Sequence, residues 1–439
     1  MRSDKTVEAL AAARRELIGR NVRTSYRKPL HIVRASMQYL YDDTGRPYID
    51  GYNNVPHVGH CHPVVVENAA RQLSQLNTNT RYLHESLERF AANLIATLPA
   101  SLRVCYFVNS GSEANELALR LARAHTRARD LLVLEAAYHG NTTTLIDISP
   151  YKADGPGGAG HAPWVHVVPI ADVYRGVHKK ADPDAGVKYA ASVADAIDRM
   201  REAGEHLCGF IAESCPSVGG QIIFPAGYLA EVYRHVRNAG GVCIADEVQT
   251  AYGRLGHSFY GFEEQGVIPD IVVLGKPIGN GYPIGAVVTT RDIAASFDNG
   301  MEFFSTFGGS TVACIVGATV LEIVLADRLQ QHADLVGARL LERLHLLSYR
   351  HELVGDVRGS GLFIGIELVK SRLTLEPAPE AADDVVNYMQ ESGVLIGTDG
   401  PYHNVLKIRP PMPFGDEDAD ALLESLEHAL SVVSSTPAR

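Results

Sequence analysis

Short apolar runs alternate with helix-period segments from about residue 104 to 290, and this alternation constrains the fold more than any other feature of the chain. Alternating strands and helices indicate an α/β fold with a mainly parallel sheet covered by helices. Ligands bind such sheets at the carboxyl ends of the strands. Seven runs are predicted to be strands: VCYFVNS, LLVLEAAY, WVHVVPI, CGFIAES, GVCIADEV, IVVLGK and GAVVTT.

The length of 439 residues fits one large and one smaller domain. We predict that residues 66–320 form the large domain. After this segment the sequence is typical of helices placed around the apolar runs SGLFIGIELV and NVLKIRPPM. Residues 1–65 and 321–439 are therefore predicted to form a smaller α+β domain together.

Composition excludes several classes of protein. A net charge of -11 disfavours nucleic acid as a partner, and no apolar window reaches the length of a membrane span. The six cysteines have no CxxC spacing, which favours a reducing compartment. The first twenty residues contain Asp4, Glu8 and Glu16, which are unusual in a transit peptide, so we predict a cytoplasmic protein that begins with a helix.

The segment VNSGSEANELALRLARAH, from Val108 to His125, has the pattern of a strand, a Gly-Ser turn and a helix. Backbone N–H groups at such a helix start, together with the Ser112 hydroxyl, form an anion site of phosphate size. An ordinary capped helix N-terminus has the same pattern. This motif alone therefore leaves both interpretations open.

The segment IADEVQT places Asp246 and Glu247 at the end of an apolar strand. Neighbours in a strand point to opposite faces, so Asp246 and Val248 share one side. A carboxylate there indicates a cationic partner: a metal, an arginine or a protonated heteroaromatic nitrogen. We predict no metal site, because no HExxH-type cluster accompanies it and the HCHP segment at His60 is typical of a structural turn.

Two further strand ends complete a set of functional groups. Tyr138 and His139 end one strand and could offer an aromatic face to a flat ligand, and Lys276 follows the buried run IVVLG. A phosphate cradle, a stacking ring, an acid and a lysine together describe a pyridoxal 5′-phosphate site. A nicotinamide dehydrogenase is disfavoured because no GxGxxG motif follows the first strand.

The chain resembles the class III aminotransferase family of pyridoxal-phosphate enzymes over nearly its whole length. The resemblance implies the fold type I of these enzymes, with a seven-stranded sheet in the large domain. It also implies a homodimer, or a dimer of dimers, with the active site at the subunit interface. The matching motifs occur in family order: GHCHP, NSGSEANELALRLAR, YHG, PAGYL, IADEVQTAYGRLG, PDIVVLGKPIGNGYPIGAV and STFGG.

The same resemblance implies a role for each matched residue. Lys276 would bind the cofactor covalently and act as the catalytic base, and Asp246 would pair with the ring nitrogen. The other implied cofactor contacts are Gly111 and Ser112 at the phosphate, Tyr138 and His139 at the ring, Val248 on the opposite ring face, Gln249 at the phenolic oxygen, Glu213 at a strand end, and Thr306 from the partner subunit.

Substrate recognition departs from the family pattern. Many members bind a substrate carboxylate with an arginine three residues before a Pro-Pro pair, a position that Lys407 occupies here, while Arg409 is displaced by two residues. In some members a second glutamate covers that arginine, five residues after the glutamate at the strand end. The strand-end glutamate is Glu213 here, and Val218 occupies the second position. Lysine lacks the planar fork that suits a carboxylate. We therefore expect a different substrate group.

Segments such as DGPYHNVLKIRPPM are most similar to the phospho-lyase branch of the family, whose members eliminate phosphate. The resemblance implies elimination of phosphate from O-phosphoethanolamine to give acetaldehyde and ammonia. The alternatives are a phospho-lyase for 5-phosphohydroxylysine, an ω-aminotransferase with pyruvate or 2-oxoglutarate as acceptor, and a non-catalytic scaffold. Candidate contacts for a small phosphorylated amine are Arg23, Arg27, Lys28, Asn53 and Lys407.

Overall fold

The computed structural model describes residues 6–435. The predicted N-terminal helix is present from Val7, and Asp4 lies outside the described residues. Thirteen α-helices occur in the described part of the chain: α1 (Val7–Leu17), α2 (Pro63–Gln75), α3 (Glu85–Ala96), α4 (Gly111–Thr126), α5 (Thr143–Asp147), α6 (Pro150–Ala153), α7 (Ala185–Glu202), α8 (Tyr228–Asn238), α9 (Arg291–Phe297), α10 (Thr311–Ala326), α11 (Leu329–Ser348), α12 (Pro379–Ser392) and α13 (Asp416–Ser435).

The same residues contain sixteen strands. They are β1 (Ile32–Ser36), β2 (Tyr39–Asp42), β3 (Pro47–Asp50), β4 (Val104–Val108), β5 (Asp130–Leu134), β6 (Val165–Val168), β7 (Leu207–Glu213), β8 (Val242–Asp246), β9 (Ile271–Leu274), β10 (Gly285–Thr289), β11 (Val354–Ser360), β12 (Phe363–Ser371), β13 (Glu376–Pro377), β14 (Val394–Leu395), β15 (Gly397–Asp399) and β16 (Val405–Ile408).

The central sheet has seven strands in the order β4-β10-β9-β8-β7-β5-β6. Strand β10 runs antiparallel to β4 and β9, and the other neighbours are parallel. All seven predicted strands are present, so the predicted α/β class with a mainly parallel sheet is confirmed. The carboxyl ends of β7, β8 and β9 meet at one edge, and Glu213 pairs in register with Asp246.

Burial explains why these strands are apolar rather than alternating. Every residue of β7, β8 and β9 is buried, because helices cover both faces of the sheet. Helix α4 packs against the sheet and against α9, and its Leu117, Leu119 and Leu121 are buried. Its N-terminus begins at Gly111, where the Ser110 hydroxyl accepts a hydrogen bond from Glu113 N at 3.1 Å. The helix start is thereby fixed at the sheet edge.

The two ends of the chain build the remaining sheets. One has the order β1-β2-β3-β14 and so joins the N-terminal segment to the C-terminal one; the other contains β11, β12, β16 and β15 with β13 beside β12. The domain boundaries at residues 65 and 320 stay a prediction. All six cysteines are unpaired. Within residues 6–435 no helix has the length and apolarity needed to cross a membrane.

Candidate active site

The carboxylate of Asp246 lies at the end of β8 and has three partners. Asn115 Nδ2 donates to Asp246 Oδ2 at 2.8 Å, His139 Nδ1 lies 2.8 Å from the same oxygen, and Val248 N donates to Oδ1 at 3.1 Å. Asp246, Asn115 and His139 are all buried. This network fixes the carboxylate in one orientation.

The neighbouring Glu247 carboxylate accepts hydrogen bonds from other groups: Ser214 Oγ, Thr250 Oγ1, Gly261 N and Phe262 N.

His139 therefore positions the acid. Its backbone N–H donates to Ser149 Oγ at 2.9 Å, so both the ring and the main chain are held. A direct contact between His139 and the cofactor stays a prediction.

The start of α4 lies beside Val248 and Gly275. A Cβ at Gly111 would be 3.0 Å from Val248 Cγ2, and a Cβ at Gly275 would be 3.3 Å from Gly111 Cα. Glycine at both positions allows this close approach, since a Cβ at either one would push against its neighbour. The Ser112 hydroxyl donates to Asn141 Oδ1 at 3.1 Å. The predicted phosphate cradle and the predicted ring-packing residue are thus brought together.

Lys276 directly follows β9 and Gly275, at the same sheet edge as Asp246. Its φ of +32° is in the left-handed region, which costs a non-glycine residue free energy and is typical of functional sites. Burial and the positive charge of Arg409 lower the pKa of Lys276 to about 8. A lysine with such a pKa supplies the neutral amine that nucleophilic and base chemistry requires.

Glu213 ends β7 next to Asp246. Burial and the negative charge of Asp246 raise the pKa of Glu213 to about 8. Its Oε2 has no hydrogen-bond partner among the described residues. An unpaired buried carboxyl oxygen beside Lys276 indicates a place for a polar ligand.

Gln249 connects the strand-end residues to the C-terminal part of the chain. Its Oε1 accepts hydrogen bonds from Asn54 Nδ2 at 2.7 Å and from Arg409. Arg409 also donates to Ser217 Oγ at 2.7 Å and is buried. Burial lowers the pKa of this guanidinium. The structure therefore places Arg409, displaced by two residues in the sequence, inside the site.

Lys407 is also buried at this site. Its ammonium contacts Asp399, and burial together with Arg409 lowers the pKa of Lys407 to about 8. The positive charge of Lys276 contributes to the same lowering. Half-buried Lys276 and the buried Lys407 and Arg409 thus form a group of three cations.

The other predicted residues have different surroundings. Tyr138 is half-buried, and burial raises the pKa of its hydroxyl. Thr306 is exposed on the surface of the chain. Their cofactor contacts stay predictions.

The basic N-terminal loop is engaged elsewhere. Arg27 pairs with Asp383 and Asp384 on α12, and Lys28 pairs with Glu391 at the end of the same helix. These arginine and lysine side chains are 56% and 74% exposed. Their charges are thus matched by acids that the sequence pattern did not reveal. Contact of Arg27 and Lys28 with a substrate phosphate stays a prediction. Arg23 is exposed, and Asn53 bonds to Asp50 at 3.0 Å.

The residues at this edge fit pyridoxal 5′-phosphate. Gly111 leaves room beside Val248 that a Cβ would fill, and Glu213 Oε2 is an orphaned polar atom. The functional groups also match those of the cofactor. The N-terminus of α4 could bind the phosphate, Asp246 could pair with the protonated ring nitrogen, and Lys276 could react with the aldehyde. These residues define the site of a pyridoxal phosphate-dependent enzyme.

Sequence reasoning missed Asn115, Asp399 and the role of Arg409. Asn115 is a polar residue on the buried, Ala- and Leu-rich face of α4, and this signal could have identified it. Asp399 carried no such signal, because its partner Lys407 lies on a different strand.

The chain belongs to the class III aminotransferases. The family model described as "Aminotransferase class-III" matches residues 22–430. Members of this family depend on pyridoxal phosphate, so the predicted family and cofactor are confirmed.

Relatives within the family differ in their named activities. The chain is 47% identical to "Alanine--glyoxylate aminotransferase 2-like" of Drosophila melanogaster, over 96% of this chain and 86% of the relative. It is 40% identical to "Ethanolamine-phosphate phospho-lyase homolog 1" of Caenorhabditis elegans, over 98% and 95%. A solved structure of a phospholyase from Arthrobacter in complex with phosphoethanolamine has a TM-score of 0.91 and 40% identity, over 98% of this chain and 100% of that chain.

Asn115 offers a test of the network around Asp246. We expect Asn115→Ala to weaken pyridoxal phosphate binding roughly tenfold, because a buried carboxylate loses one charge-assisted hydrogen bond. Equilibrium binding of the cofactor to the apoenzyme measures this effect. Asn238→Ala, at an exposed position near the end of α8, is the matched control and should leave the affinity unchanged. Equal affinities for Asn115→Ala and wild type would contradict the assigned role.

Proposed function

We propose that this protein is a phospho-lyase that eliminates phosphate from O-phosphoethanolamine, giving acetaldehyde, ammonia and inorganic phosphate. The observation that carries the proposal is the pair of buried cations on β16 and just after it, Lys407 and Arg409. Residues two apart on an extended strand share a face, so the side chains of Lys407 and Arg409 lie on the same side of the chain. The positive charge of Arg409 lowers the pKa of both Lys407 and Lys276.

The partners of Arg409 favour an anionic ligand. Its two side-chain contacts, Ser217 and Gln249, are neutral, and its Nε has no partner among residues 6–435. A buried guanidinium that lacks a carboxylate contact retains donors for a phosphate or carboxylate. Together with Lys407, it supplies two positive charges, which match a phosphate dianion.

The chain's own residues then account for elimination. The bound cofactor supplies a ring that accepts the electron pair left when a proton leaves the carbon beside the amine. Lys276 Nζ takes that proton, and Asp246, held by Asn115 and His139, keeps the ring nitrogen protonated. Lys407 and Arg409 stabilise the negative charge that develops on the departing phosphate. Water then converts the two-carbon product to acetaldehyde and ammonia.

Turnover in the absence of a keto acid tests this proposal. We expect the purified holoenzyme to release inorganic phosphate and acetaldehyde from O-phosphoethanolamine in equal amounts over many turnovers. Lys407→Met should raise KM for this substrate at least tenfold, because the dianion loses a buried charge-assisted contact. Lys370→Met, at an exposed position, is the control and should change nothing. Failure to release phosphate would refute the lyase.

An ω-aminotransferase is the second candidate, because the 47% identical relative carries an aminotransferase name. Arg409 could then bind a substrate carboxylate. In that case an amine or amino acid would convert the cofactor to its amine form in a single half-reaction, and turnover would require pyruvate or 2-oxoglutarate as acceptor. A phospho-lyase for 5-phosphohydroxylysine would release phosphate from that compound in preference to phosphoethanolamine.

We also propose a homodimer with the active site at the subunit interface. Exposed apolar side chains lie in two segments that Arg81 and Glu302 connect by an ion pair of 3.7 Å. Their exposed fractions range from 69% to 96%, which is high for large apolar residues on a free surface: Tyr82, Leu83, Met301 and Phe307. Thr306 belongs to this surface, in agreement with its proposed contact to the partner's cofactor phosphate.

We also propose a cytoplasmic location, because the six cysteines have no CxxC spacing and so favour a reducing compartment.

A further inference from the structure

Asp399 and Lys407 form a buried ion pair on the neighbouring strands β15 and β16. The two side chains are 9% and 7% exposed, and the Lys407 ammonium contacts Asp399 Oδ2. Lys407 Nζ also lies 5.0 Å from the centroid of the Tyr52 ring. A Cβ at Gly397, the cross-strand neighbour of Lys407, would be only 2.2 Å from Tyr52 Cε2. The glycine therefore makes room for the ring beside the ion pair.

The carboxylate of Asp399 acts on all three cations of the site. It raises the pKa of Lys276, Lys407 and Arg409, and so opposes the effect of burial on each of them. Its position is fixed by the main chain, since Gly400 N donates to Val218 O at 3.0 Å. Asp399 thus balances part of the positive charge of the site, together with Glu213 and Asp246, and it is the carboxylate in direct contact with Lys407.

We infer that Asp399 determines specificity by competing with the substrate's anionic group for Lys407. This inference rests on the proposed function. An anionic ligand that reaches Lys407 competes with the Asp399 carboxylate for the positive charge of the ammonium and is repelled by the negative charge of Asp399. A phosphate dianion carries twice the charge of a carboxylate and is attracted by Arg409 as well, so it overcomes this competition. A group with a single negative charge has the same charge as Asp399 and so gains no advantage over it. A neutral group does not compete with Asp399 for Lys407.

Asp399→Asn tests the inference because it removes the charge and keeps the shape of the side chain. We expect the dissociation constant of inorganic phosphate from the holoenzyme to fall at least tenfold at pH 7.5, where inorganic phosphate is mainly the dianion and Lys407, with a pKa of about 8, is mainly protonated. This change corresponds to about 1.4 kcal/mol. Titration calorimetry with inorganic phosphate measures this constant. Binding of ethanolamine, which has the amine and no phosphate, should change less than about threefold, because it lacks the anionic group that competes with Asp399 for Lys407. A general loss of structure would weaken the binding of both inorganic phosphate and ethanolamine.

Two further variants make the result specific. Asp399→Ser should also tighten phosphate binding, and it replaces Asp399→Asn if that variant does not fold. Adding Lys407→Met to either variant should abolish the gain, because the competition is for Lys407. Unchanged or weaker phosphate binding in folded Asp399 variants would overturn the inference.

The wild-type reaction separates this inference from the proposed function. Release of phosphate and acetaldehyde by wild type, with no gain in phosphate affinity in the Asp399 variants, overturns the inference alone. Tighter phosphate binding by the variants, with no phosphate release from O-phosphoethanolamine by wild type, refutes the lyase and supports Asp399 as the competitor at an anion site.

Discussion

Lys276→Ala is expected to lower kcat by roughly four orders of magnitude or more, because it removes both the amine that binds the cofactor covalently and the base that moves the proton. Lys407, the other lysine of the site, is held by its contact with Asp399 and does not lie at the end of β9, so it should not replace Lys276. Single-turnover and steady-state release of phosphate from O-phosphoethanolamine measure the loss.

Lys276→Arg keeps a positive charge at the same strand end and should be as inactive, because arginine stays protonated and cannot replace the amine. Lys370→Ala, at an exposed lysine paired with Glu376, should retain full activity. If Lys276→Ala kept more than a tenth of the wild-type kcat, the assignment of Lys276 would be wrong.

Asp246→Asn should reduce kcat/KM by about a thousandfold, the size of effect seen when a group that stabilises transition-state charge is removed. Asparagine fills the same space but carries no negative charge, so it cannot keep the ring nitrogen protonated. The variant would also leave His139 Nδ1 and Asn115 Nδ2 without their carboxylate partner. Measurement of kcat/KM, together with the visible absorbance of the bound cofactor, separates loss of chemistry from loss of binding.

Asp130→Asn is the matched control for this change. Asp130 lies at the amino end of β5 in the same sheet, away from the carboxyl ends that form the site. We expect its kcat/KM to stay close to that of wild type. A similar loss in both variants would indicate that Asp246 acts only through stability of the sheet.

Much of the fold and the cofactor site could be predicted from local sequence. Strands such as IVVLG and IADEV are short apolar runs that end in a polar residue, and parallel strands bring such ends to one edge. Lys276 and Asp246 could therefore be assigned together, although thirty residues separate them. The start of α4 was likewise evident from its Gly-Ser turn and helical leucine spacing.

Charge partners could not be predicted in the same way. Arg27 and Lys28 have the composition of a free basic loop, yet they pair with acids on α12 more than 350 positions later. Arg409 was noted only as displaced from a familiar position, and the structure shows that it bonds to Gln249 inside the site. Long side chains on separate elements meet through tertiary packing, which leaves no local periodicity in the sequence.

By itself, the sequence determined the α/β class and the family, and it predicted the residues for the cofactor chemistry, because these depend on local patterns and on strand ends. Only the tertiary structure decided which charges are buried and which are matched: it placed Lys407 beside Asp399, Arg409 beside Ser217 and Gln249, and Asn115 against Asp246. The reason is physical. The pKa and the binding capacity of an ionisable group depend on its burial and on the charges nearest to it in space.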